Sequence, residues 1–201
     1  MIALIDGFPA GLKVDEPFIN RELQLRQGGY GRGGRQKLEQ DTVDVLTGVW
    51  QSTTLGSPIT LQVINNDYKL ERLKELERPR PGHADLTGAI KYLGSIRGIL
   101  ERSSARETAV RVAAGALARL LLRALGIETV GYVVELGEMN IGHGATRALS
   151  IDQVRTARDA SSIYSVDPTR DRDAEAYIDR MADEGDTLGG VIEVKQISNL
   201  Y

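Results

Sequence analysis

Apolar positions are grouped in short runs toward both ends of the chain and in one long run near its middle. Ile2–Ile5 predicts a strand, closed by a turn at Asp6-Gly7 and a second turn signal at Pro9-Ala10-Gly11. Glu16–Leu25 predicts a short helix. Val43–Trp50 and Ile59–Asn65 predict two strands, and Leu55-Gly56-Ser57-Pro58 between them predicts the turn of an antiparallel pair. Lys69–Arg78 is charged and is open to a helix or a mobile segment. Pro79-Arg80-Pro81-Gly82 stops any helix there.

The clearest helix is Ala105–Leu125. Ser104 can cap it, Glu107 completes a capping box, and Gly126 stands where a helix C-terminal glycine belongs. Its residues are apolar almost all round, which predicts burial on most faces. Thr129–Leu136 is a β-branched strand. Asp152–Ala160 and Asp171–Glu184 predict helices, the second opening with acids. Val191–Ile197 alternates as a half-buried strand does. Paired strands on either side of one apolar helix predict an α+β fold rather than a doubly wound α/β fold. Residues 1–201 read as a single, partial domain.

Composition adds exclusions. The formal net charge of -3 gives no reason to expect nucleic acid or a membrane as partner, although residues 21–37 are locally basic. The absence of cysteine removes disulfide and thiolate chemistry and fits a cytoplasmic protein. Arg111, Arg119 and Arg123 interrupt the long apolar run, so it is not a membrane span.

Three runs carry candidate chemistry. In Arg102-Ser103-Ser104-Ala105-Arg106-Glu107-Thr108, arginines and hydroxyls flank a helix start, whose unpaired N–H groups suit an anion; an ordinary capped helix is the plainer alternative. In Arg80-Pro81-Gly82-His83-Ala84-Asp85, a histidine able to exchange a proton near neutral pH follows a turn and precedes a carboxylate. It can equally be a loop histidine without a role, a reading that fits His143 better still. In Arg26-Gln27-Gly28-Gly29-Tyr30-Gly31-Arg32-Gly33-Gly34-Arg35, three arginines on a glycine-rich loop can converge on a small polyanion. The same loop allows an RNA-binding module without catalysis, or a solvated basic loop. No phosphate-binding loop of the Gly-Lys-Ser/Thr kind and no Cys/His zinc cluster is present. Glu39 and Asp41 read as surface acids.

In order and spacing these runs resemble the signature blocks of chorismate synthase. The resemblance extends from Asp6-Gly7-Phe8-Pro9-Ala10-Gly11-Leu12 to Gly185-Asp186-Thr187-Leu188-Gly189-Gly190-Val191, through Leu46-Thr47-Gly48-Val49 and Leu55-Gly56-Ser57-Pro58. It implies conversion of 5-enolpyruvylshikimate 3-phosphate to chorismate and phosphate by 1,4-trans elimination, with reduced FMN and no net redox change. It places Arg26, Arg32, Arg35, Arg80 and Arg106 at the substrate. Arg102, Ser103, Ser104 and Ala105 fall at FMN, and Arg26 and Arg32 also at NADPH, which some members use to reduce flavin. His83 matches the histidine proposed to protonate the reduced flavin. The implied fold packs buried helices between antiparallel sheets in a β-α-β sandwich, assembled as a homotetramer.

Two family features lie outside this sequence. One is a Gly-Glu-Ser-His-Gly block with a second histidine; the other is the continuation beyond position 201 with further flavin contacts and an acidic group. The expectation is that the 201 residues are inactive alone and poorly soluble, with apolar surface and strand edges exposed.

Overall fold

A computed structural model describes residues 1–31, 41–65, 73–103, 107–142 and 144–198. The chain forms two compact units: residues 1–24 with 39–117, and residues 25–38 with 118–201. Both combine helices with antiparallel sheets, as the α+β expectation requires.

The first unit is built on a three-stranded sheet in which β5 (Ile59–Val63) lies between β1 (Ile2–Ile5) and β2 (Val43–Thr47). Ile59, Leu61 and Val63 alternate with Thr60 and Gln62, and the three aliphatic side chains are fully buried. Register puts Ala3 and Ile5 on that inner face, opposite Leu61 and Ile59. Ile2 and Leu4 therefore face outward and stay exposed. α1 (Glu16–Gln27) buries Phe18, Ile19 and Leu23, and its Asn20 Oδ1 accepts a 2.8 Å bond from Val43 N at the start of β2.

The predicted strand Val43–Trp50 breaks at Gly48. With φ of +82° and Pro58 O only 2.6 Å from where a Cβ would lie, that position admits only glycine. β3 (Val49–Trp50) then turns back onto β4 (Thr53–Thr54). Buried Thr54 holds the Pro9–Leu12 turn: its hydroxyl donates to Pro9 O and accepts from Leu12 N. Asp41, expected at the surface, is instead buried just before β2; Glu39 lies outside the described residues.

Two helices that the apolar pattern did not announce follow the proline–glycine turn, α2 (Asp85–Tyr92) and α3 (Ile96–Ser103). They pack closely, because a Cβ on Gly88 would come within 2.3 Å of Ile99 Cγ2. α4 (Glu107–Ala124) is the predicted long helix, ended by Gly126 at φ +73°. Ala109, Val110, Ala113, Ala116, Leu117 and Leu120 are its buried residues, and Val112, Ala114, Leu121 and Leu122 are half-buried. Thr108, Arg111, Gly115 and Ala118 are exposed. Most of the helix surface is thus at least half-buried, as its apolar residues predict, and the one outer stripe is built of arginine and small residues that cost little to leave in water. Ser104, its expected cap, lies outside the described residues, as do residues 69–72, while residues 73–78 form no helix.

In the second unit β6 (Ile127–Leu136) pairs with β7 (Met139–Asn140) on one side and β8 (Gly190–Ser198) on the other. Val130, Tyr132 and Val134 pack with Ile151 and Val154 of α5 (Ile151–Ala160). A second cluster of Ile141, Ile163 and Ala174 is joined by Ile178, both of the last two on α6 (Asp171–Asp183). Ser150 caps α5 in a full capping box with Gln153. On the other face of β8, Ile192 and Val194 are exposed.

Candidate functional site

The histidine run belongs to the first unit. Pro81 disfavours helical backbone at Arg80, and Gly82 takes φ of +68°, so the chain doubles back before α2 begins. That turn returns Asp85 to Arg80. Asp85 Oδ2 accepts the backbone N–H of Arg80 at 3.0 Å and its Nε–H at 2.8 Å, while Oδ1 accepts from Nη2 at 3.0 Å. The carboxylate is 1% exposed and the arginine side chain 42% exposed. Hydrogen bonds from the Arg80 guanidinium and backbone hold the Asp85 carboxyl down to about 2, against the opposing effect of burial. A guanidinium has five N–H donors. Two are engaged by Asp85, so the exposed remainder is aimed by a fixed fork and can take an anion.

His83 is exposed, and Nδ1 lies 2.9 Å from Pro81 O. A carbonyl only accepts, so Nδ1 carries the hydrogen and the ring's lone pair is on Nε2. The spacing to Asp85 left a hydrogen bond between the two undecided. The carboxylate serves Arg80 instead.

The arginine run begins in the second unit. Arg26 is in the last turn of α1, half-buried, where the helix dipole favours a cation. Gly29 and Gly31 follow with φ of +91° and +75°. Tyr30 donates through its hydroxyl to Asp179 Oδ2 at 2.8 Å, which pushes its phenol above the usual range. Arg32 and Arg35 lie outside the described residues.

Of the serine–arginine run, Arg102 lies in the last turn of α3 and Ser103 ends that helix, exposed. Ser104, Ala105 and Arg106 lie outside the described residues, as does His143. α4 opens at Glu107 just beyond. Among the described residues no group of His, Asp and Glu could hold a metal ion, and no helix is long and apolar enough to cross a membrane.

Sequence reading missed the part Asp85 plays. An aspartate five residues after an arginine is an ordinary spacing, and only the Pro81–Gly82 turn makes it a contact.

The family model for chorismate synthase matches residues 1–200. The chain is 47% identical over 207 aligned residues to chorismate synthase of Geobacter metallireducens, covering 96% of this chain and 52% of that protein. It is 43% identical to chorismate synthase of Lactococcus lactis subsp. cremoris, covering 97% and 54%. A crystal structure of chorismate synthase superposes with a TM-score of 0.77 at 34% identity, over 98% of this chain and 53% of that one. The chain thus spans about half the length of the curated relatives it matches.

Proposed function

The chain belongs to the chorismate synthase family, and from that premise we propose that it supplies substrate- and flavin-binding groups of a lyase in aromatic amino acid biosynthesis. The reaction converts 5-enolpyruvylshikimate 3-phosphate to chorismate and phosphate by 1,4-trans elimination: a proton and a phosphate leave, and one double bond forms.

The observation that supports this best is the Arg80–Asp85 fork beside His83. The substrate has one phosphate and two carboxylates, anions that guanidinium groups recognise by shape as well as charge. Asp85 fixes the Arg80 plane, so little side-chain freedom is lost when an anion docks. Arg26, Arg32, Arg35 and Arg106 complete the charge complement. His83 commits Nδ1 to Pro81 and keeps Nε2 to hold and move a proton within the site.

FMN, in its reduced form, supplies an electron that is returned, leaving no net redox change. Arg102, Ser103, Ser104 and Ala105 would hold it. Arg26 and Arg32 also serve NADPH where flavin reduction is intrinsic to the protein. The reading includes a cytoplasmic homotetramer, and turnover that needs more of the family's length than these 201 residues.

The test is anaerobic chorismate formation from 5-enolpyruvylshikimate 3-phosphate and reduced FMN, using the chain extended at both ends to the family's length. His83→Ala should lower turnover roughly a hundredfold or more, the usual worth of a positioned proton donor. An extended protein that binds flavin and substrate without turnover would sink the assignment.

A further inference from the structure

The segment that leaves α1 is fastened to a turn at Ser161–Ser165, all within the second unit. The Tyr164 hydroxyl donates to Leu25 O at 2.8 Å. The last carbonyls of a helix have no partner within it, so this bond closes the end of α1 one residue before Arg26. Tyr30 N donates to Ser162 O at 2.8 Å, and the Tyr30 hydroxyl donates to Asp179. Gly29 runs close over the Tyr164 ring, where a Cβ would lie 3.2 Å from Cε2.

The turn itself is held in a costly conformation. Tyr164 has φ of +59°, a region that a bulky residue keeps only where its surroundings over-determine it. They do so here. Val133 N of β6 donates to Tyr164 O at 2.9 Å, and Tyr164 N donates to Ser161 O. Asp171 accepts from Ser162 N at 2.6 Å and from the Ser161 hydroxyl at 2.8 Å, while Glu175 accepts from the Ser162 hydroxyl at 2.6 Å. The central sheet and the first turns of α6 therefore fix Tyr164, and Tyr164 fixes the end of α1.

A glycine-rich stretch is among the more costly segments to order. Gly29, Tyr30 and Gly31 are exposed, and a Cβ on Gly31 would lie 3.0 Å from Ile178 Cγ2. The anchoring makes sense if Arg26 must be in place before its ligand arrives.

We propose that Tyr164 is a positioning residue for anion recognition. Through Leu25 O and Gly29 it sets the backbone from which Arg26 reaches 5-enolpyruvylshikimate 3-phosphate, with Tyr30–Asp179 as the second anchor. The ligand rests on the reading of Arg26 given under the proposed function; the clamp does not.

The test compares the unmodified 201-residue chain with Tyr164→Phe, which removes only the hydroxyl, and with Ser150→Ala, which removes a helix cap elsewhere in the same unit. Hydrogen exchange reads the amides of residues 25–31, and calorimetry reads the affinity for 5-enolpyruvylshikimate 3-phosphate. Tyr164→Phe should speed exchange at 25–31 with β6 still protected, and weaken binding roughly three- to tenfold, the worth of one hydrogen bond. Ser150→Ala should leave the affinity unchanged, which a general loss of stability would not. Unaltered exchange at 25–31 in Tyr164→Phe overturns the clamp. Faster exchange with unaltered affinity overturns its role in recognition. No binding by the unmodified chain overturns the functional reading, and the ligand of this proposal with it.

Discussion

Asp85, the first residue of α2, accepts three hydrogen bonds from Arg80, one from the backbone and two from the guanidinium. The carboxylate is buried and the arginine half in solvent. One group serves as the anchor, and the other presents its remaining donors outward. Asp85→Asn keeps the shape but loses the charge and one acceptor. It should leave Arg80 free to rotate and weaken the affinity for 5-enolpyruvylshikimate 3-phosphate roughly tenfold, as loss of a charge-assisted bond does. Calorimetric titration of the two proteins checks this.

The same pair gives a signed pH dependence. Asp85 ordinarily titrates at 3.8 and is held down to about 2 in the folded chain. Its stabilising effect is fully present above the ordinary value and is lost as pH falls from there through about 2. Denaturation midpoints measured between neutral and strongly acid pH should therefore fall less steeply in Asp85→Asn than in the unmodified chain. Glu75, held low chiefly by the Arg97 backbone N–H, contributes equally to both and cancels in the comparison.

Gly88 is where α2 and α3 meet. Gly88→Ala would place a methyl 2.3 Å from Ile99 Cγ2, with Ile99 itself buried. The variant should lose about 1–3 kcal/mol, the usual cost of overpacking. Ile99→Ala in the same chain should restore part of it, since the two changes share one space. Urea unfolding of the single and double variants reads the coupling.

Ser150 and Gln153 satisfy each other's backbone groups at the start of α5. Ser150→Ala should cost about 1 kcal/mol. The loss should be visible in thermal unfolding of the second unit.

The sequence was most legible where one signal had no competitor. Ile2–Ile5 forms the strand its apolar run predicts, and Val191–Ile197 lies within β8. Asp171 opens α6 as its acidic first turn suggested. Gly126 ends α4 because no Cβ opposes its positive φ. α2 and α3 were silent because their signals are weak. Gly88 and Gly98 interrupt them, Ala84 offers no capping side chain, and α2 ends at Leu93 in a left-handed conformation that leucine seldom adopts. The break at Gly48 was hidden inside a good β run, because only a tertiary approach by Pro58 demands glycine there.

At the candidate site, residue types were readable and partners were not. Arg80, His83 and Arg26 stood out by chemistry. That Asp85 belongs to Arg80 rather than His83, and that Tyr164 reaches Leu25 from 139 residues away, depends on turns whose geometry no local spacing encodes.

The measurement that bears most directly on the central claim is calorimetric titration of the 201-residue chain with 5-enolpyruvylshikimate 3-phosphate, with Arg80→Ala beside it. Saturable binding that weakens at least roughly tenfold in the variant is the predicted result. No saturable binding, or equal affinity in both proteins, would contradict the account.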